Sequence, residues 1–163
     1  MSQIQDKLKR SIEAAESLYH RLVLLVGETG SGKTAVLRDV ATVFGTSIVN
    51  INLDVSSELL ELSPKQRPVQ LPMVLGRIVE KGNSPLFLDN LEMLFDKDLK
   101  QDPLRLLQSI SRNRMVIATW NGAFKGQKLS YAEYGHPEYR VYDSVDALIV
   151  SMDGNATIEP EIQ

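Results

Sequence analysis

Apolar positions recur at two different periods along this chain, and the switching between them sets out its elements. Near the start Ile4, Leu8, Ile12, Ala15 and Leu18 fall three or four residues apart, which predicts an amphipathic helix over residues 3–19, packed on a sheet. The apolar run "LVLLV" then reads as a buried strand. A Gly-rich stretch follows, after which "KTAVLRDVATVF" returns to helical spacing through Val36, Val40 and Val43. "SIVNINL" alternates and predicts a second strand, while "SSELLELSPKQRPVQLP", with Pro64, Pro68 and Pro72, reads as an irregular connection holding one helical turn. "PMVLGRIVEKGN" predicts a helix closed by Lys81 and Gly82. Beyond it lie an apolar strand over residues 85–88, the helix "PLRLLQSISRN", the strand "RMVIATWNG" and a fifth strand, "DALIVSMD".

Strands alternating with helices imply a parallel sheet joined by right-handed crossovers, and such sheets bind ligands at the carboxyl ends of their strands. The expected fold is therefore a three-layer α/β domain with a five-stranded parallel sheet, spanning residues 1–163 as one unit.

The stretch after the first strand, "GETGSGKT", carries chemistry at that edge. It matches the P-loop pattern G-x-x-x-x-G-K-[ST], in which glycines let backbone N–H groups turn onto a phosphate without Cβ clashes. Gly27, Glu28, Thr29, Gly30, Ser31, Gly32, Lys33, Thr34 and Ala35 then form a nucleotide cradle. Lys33 reaches the terminal phosphates and the Thr34 hydroxyl is a ligand for Mg²⁺. Asp89 ends the apolar strand of "PLFLDNLEMLF", the Walker B arrangement, in which the carboxylate is the second protein group for the metal. The cofactors expected are ATP and Mg²⁺. Thr119 and Asn121, ending a later strand, fall on the same edge, where P-loop ATPases with an extra strand between the P-loop and Walker B strands keep a polar sensor. "NG" at Asn121–Gly122 is also an ordinary turn dipeptide.

Composition narrows the setting. A net charge of −3 argues against wholesale coating of nucleic acid and leaves a local contact with DNA open. The chain has no cysteine, which removes disulfides and thiolate chemistry, and only His20 and His136 as imidazoles. It has neither a run long enough to span a membrane nor a signal-like N-terminus, so a soluble, cytoplasmic protein is expected. The segment "SYAEYGHPEYRVY" gathers Tyr131, Tyr134, Tyr139 and Tyr142 beside Lys128, His136 and Arg140. Rings interleaved with cations can pack a loop, build a protein interface or stack bases.

Taken together, "GETGSGKT", "PLFLDNLEMLF", "VIATWNG" and "LSYAEYGHPEYRVY" followed by "DALIV" resemble the BrxF family, the small P-loop proteins of certain BREX bacteriophage-defence systems. The resemblance implies an ATP-binding role in antiviral defence beside a larger ATPase, a DNA methyltransferase and other components of the system.

Two departures from fuller P-loop ATPases bear on activity. Where a catalytic glutamate usually follows the Walker B acid, Asn90 stands, and an amide cannot take a proton from water. Either Glu92, three residues on, curls back to polarise the water, or hydrolysis is slow; a weak ATPase is expected. After the fifth strand only "SMDGNATIEPEIQ" remains, too short for a helical lid, so closure by self-association or by a partner is expected. Arg112, Arg114 and above all Arg140 are candidate donors to a neighbouring site. Two other functions fit the motif: a binding module that answers to nucleotide state, favoured by Asn90, and a small-molecule kinase using Asp54 to hold an acceptor hydroxyl.

Overall fold

A computed structural model describes residues 3–154. Helix α1, Gln3–Ala15, ends short of the expected residue 19, because the Leu18 N–H turns back onto the Ala15 carbonyl; it buries Leu8, Ile12 and Ala15, with Ile4 and, beyond its end, Leu18 packed alongside. Strand β1, Leu22–Gly27, leads through the Gly-rich loop into α2, Lys33–Val43. Val36 and Val40 of α2 face inward, whereas Val43 is exposed. Strand β3, Leu86–Asp89, and helix α5, Pro103–Ser111, lie where their patterns predict. The helix α5 is capped by Asp102, whose carboxylate accepts from the Arg105 N–H.

The second strand is much shorter than its alternation suggests. Strand β2 covers only Ile48–Asn50, because the Asn50 side chain accepts the Leu53 N–H at 3.0 Å and caps a helix, α3, over Ile51–Leu59. Ile51, Val55 and Leu59 then recur every four residues and are buried. The proline-bearing connection is also more ordered than expected, since helix α4 runs over Gln66–Glu80. Pro68 sits in its first turn, where an N–H would have no partner anyway. Pro72 lies inside and cannot bond the carbonyl of Pro68, but the Gln101 side-chain amide donates to that oxygen at 2.8 Å. Arg114, a candidate donor in the sequence, closes the other end of α4 by donating to the carbonyls of Val79 and Gly82.

Strand β4, Val116–Lys125, pairs in parallel with both β1 and β3, and β7, Leu148–Ser151, flanks β1 on the far side. The parallel order is β2-β3-β4-β1-β7, so a strand does stand between the P-loop strand and the Walker B strand. Side chains alternate across the sheet: Leu22, Leu24 and Val26 pack with α3, α4 and α5, while Val23 and Leu25 pack with α1 and α2. Helices therefore cover both faces, as expected of a P-loop NTPase fold.

The Asn121–Gly122 pair is not a turn. Strand β4 continues through it to Lys125 and reverses at Gly126 and Gln127, both with positive φ, 57° and 66°. Strand β5, Lys128–Tyr131, runs back antiparallel on β4, and β6, Arg140–Tyr142, pairs with β5. Gly122 is needed here because a Cβ would come within 1.8 Å of the Ser130 carbonyl oxygen.

Candidate functional site

The register of the parallel strands brings the motifs to one edge. Gly27 pairs with Asn121 and Asn50 pairs with Asp89. The loop between β1 and α2 turns through Gly30 and Gly32 at φ of 80° and 94°, conformations that a side chain would strain. Gly27 has another reason: a Cβ there would meet the Ser31 hydroxyl at 2.6 Å. Helix α2 begins at Gly32, directly after the loop, with no side-chain cap, which leaves its first N–H groups available to an anion.

Lys33 is the first residue of α2 and is buried, its ammonium donating to the carbonyls of Gly27 and Glu28 at 3.0 and 2.6 Å. Burial pulls its pKa below the ordinary lysine value, while Asp89, Glu92 and Glu28 work in the opposite direction. Next to it the Thr34 hydroxyl donates to one oxygen of Asp89 at 2.7 Å. The other Asp89 oxygen accepts the Thr119 hydroxyl at 2.6 Å and the Asn90 N–H at 2.9 Å. Two hydroxyls and an amide thus fix a buried carboxylate at the strand end.

Asn90 has a left-handed backbone, φ 56°, and lines a cavity of about 480 Å³ with Thr34, Arg38 and Asp89. Glu92, in a 3₁₀ turn over Glu92–Phe95, lies on the other side and is clamped. Its two carboxylate oxygens accept from the Asn121 amide at 2.5 Å and from the Asn52 amide at 3.0 Å. Asn52 is itself fixed, since its side-chain oxygen accepts the Met93 N–H at 3.0 Å and its own N–H donates to the Asn90 carbonyl at 2.9 Å.

Lys33, Thr34, Asp89, Glu92 and Asn121 therefore lie together at this edge, and Thr119 joins them through Asp89. Asn52 is the residue that pattern reasoning missed. Its only signal is the "NIN" polar repeat, read as strand alternation but built as a cap followed by a clamp. The arginines stand apart. Arg140 donates to the Gln101 carbonyl at 2.8 Å, so serving a neighbouring site would require releasing it, and the Arg112 guanidinium lies 4.7 Å from the centre of the Tyr19 ring. Asp54 sits exposed on α3 and lines a separate cavity with Ser57, Glu58 and Lys81.

The residues fit a nucleoside triphosphate with Mg²⁺. The glycine turns lead into an uncapped helix start, and a hydroxyl and a carboxylate stand 2.7 Å apart beside the lysine. Among the described residues no group of three or more His, Cys, Asp or Glu could hold a metal.

A parallel sheet with an inserted strand, a P-loop and an aspartate at the Walker B position define a P-loop NTPase domain. The family model described as the ATPase family associated with various cellular activities (AAA) matches residues 23–122, more than half of the chain, and the chain belongs to that family. No helix among the described residues is long and apolar enough to cross a membrane.

Proposed function

We propose that this chain binds ATP with Mg²⁺ and hydrolyses it slowly on its own, as the small ATPase of a BREX-type antiphage complex in the cytoplasm. The observation that carries the restraint on hydrolysis is the clamp on Glu92: the candidate base has both oxygens engaged by asparagine amides, and Asn90 occupies the place beside Asp89. Bound ATP·Mg²⁺ supplies the γ-phosphoryl group and a cation that neutralises its charge. In this reading Lys33 leaves the carbonyls of its own loop for the phosphates, and the Thr34 hydroxyl and Asp89 hold the metal side. Glu92 takes a proton from water once Asn52 yields one of its oxygens, while Asn121, still donating to the other, holds the carboxylate in place beside that water.

The BREX assignment rests on the coincidence of four motifs along most of the chain, with the tyrosine-rich hairpin as the distinctive one. The partners it calls for are the larger ATPase and the methyltransferase of such a system, with self-association as the other route to closing the site. The kinase alternative has no support from Asp54, which faces a different cavity.

Phosphate release and ATP binding measured on Glu92→Gln test the reading. The expected outcome is unchanged ATP affinity with turnover lower by about 10²–10⁴-fold. Turnover at the parent rate would remove Glu92 as the base, and absence of ATP binding by the parent chain would remove the function.

A further inference from the structure

The tyrosine-rich hairpin does more than pack. Tyr131 and Tyr142 are absorbed into an aromatic cluster around Trp120 and Phe95, but Tyr134 is 91% exposed and meets Tyr139 edge-on at 5.8 Å. Between this outer pair and the phosphate loop lies a groove of about 860 Å³, within the usual size range of ligand sites. Its floor includes Thr29, Glu92 and Asn121, so it opens directly onto the end of the P-loop.

The charge of the groove is one-sided. Glu28, Glu92, Glu133 and Glu138 line it, against Lys125 and a histidine, His136. The field is felt inside: the Tyr131 phenol is held well above its ordinary pKa by burial, and by Glu92 and Glu138. The rim acids Glu133 and Glu138 disfavour a nucleic-acid backbone laid along the aromatic segment, which is therefore not a base-stacking platform despite its sequence; the loop glycines and Lys33, where ATP phosphates would sit, do not line the groove. Cations are drawn to it, and the exposed face of Tyr134 can stack on a guanidinium.

We propose that this groove is a docking site for an arginine- or lysine-bearing segment of a protein partner, held by Glu133, Glu138 and Tyr134 and ending at Glu92. A protein segment fits better than a free polyamine because the rim offers aromatic surface beside the charge, the pairing typical of protein interfaces. The inference rests on the groove alone and not on ATP turnover, and its test uses no nucleotide, so the two readings fail separately.

The test is fluorescence anisotropy of a labelled six-residue peptide of alternating arginine and glycine, titrated with the full chain at low salt. Saturable binding is expected, weakened about fivefold in Glu133→Gln/Glu138→Gln and about threefold in Tyr134→Ala, whose exposed ring puts the fold at no risk. Glu13→Gln/Glu16→Gln on the opposite sheet face removes the same net charge and should leave the affinity unchanged. Equal weakening in both double variants would reduce the effect to bulk charge and overturn the proposal. So would binding indifferent to the groove variants, displacement of the peptide by equimolar spermidine, or capture of single-stranded DNA that Tyr134→Ala abolishes.

Discussion

Lys33 shows how one buried cation can both mark a phosphate site and tune it. Its ammonium is held by two loop carbonyls in a buried position, with burial lowering its pKa and three carboxylates partly restoring it. A bound phosphate would strongly favour the charged form, so ATP binding should draw a proton onto Lys33 at alkaline pH. The sign follows: ATP affinity holds while Lys33 is protonated and falls as pH rises through its lowered pKa, beginning below the ordinary lysine value of 10.5. Calorimetric titration with ATP from neutral to alkaline pH checks this, with Lys33→Met as the control. That variant should bind weakly at every pH and lose the slope, and a slope that survives in it would assign the proton to another group.

At the scale of elements, the hairpin β4–β5 is fixed by a single glycine. Gly122 lets the Ser130 carbonyl approach the backbone, and that same carbonyl accepts the Trp120 indole N–H at 2.9 Å. Gly122→Ala should force the strands apart and cost about 1–3 kcal/mol, the range for overpacking a close contact. Trp120 is the only tryptophan, so its emission should shift as the indole loses Ser130, and thermal melting gives the stability. An unchanged spectrum with an unchanged melting temperature would mean the hairpin absorbs the methyl group. This element was hidden in the sequence because Asn121–Gly122 competes as a turn signal with Gly126–Gln127, and only the pairing of Gly122 with Tyr131 decides between them. The buried strands and the core helices were legible, since a sheet covered on both faces writes itself as apolar runs and a helix as spaced apolar residues. The start of α3 was not, because a cap and a strand residue look alike at Asn50. In the site, Lys33, Thr34 and Asp89 were legible by spacing, whereas the Asn52–Glu92 contact spans 40 positions and leaves no local trace.

At the scale of the whole molecule, the described residues leave the phosphate edge open. Glu28, Thr29, Ser31, Gly32 and Thr34 are all exposed, while the base nearest to them is clamped from the opposite side by Asn52 of α3. Under the proposed function, closure of that edge and release of Glu92 are two separate requirements for fast turnover, and a neighbouring chain or partner would have to supply both. Specific ATPase activity should climb with protein concentration, because contact excludes water from the phosphates and shifts the clamp. Asn52→Ala separates the two requirements. It strips the partner from the Met93 N–H and from one oxygen of Glu92, which should cost about 1–3 kcal/mol of stability. It should also raise the turnover of the dilute chain toward that of the assembled one, so the rise with concentration becomes shallower. Sedimentation alongside phosphate release checks both. Activity in Asn52→Ala that falls in step with its melting temperature would make the clamp a structural brace, and a parent rate already high and flat down to monomer concentrations would mean that Glu92 is free enough in a single chain.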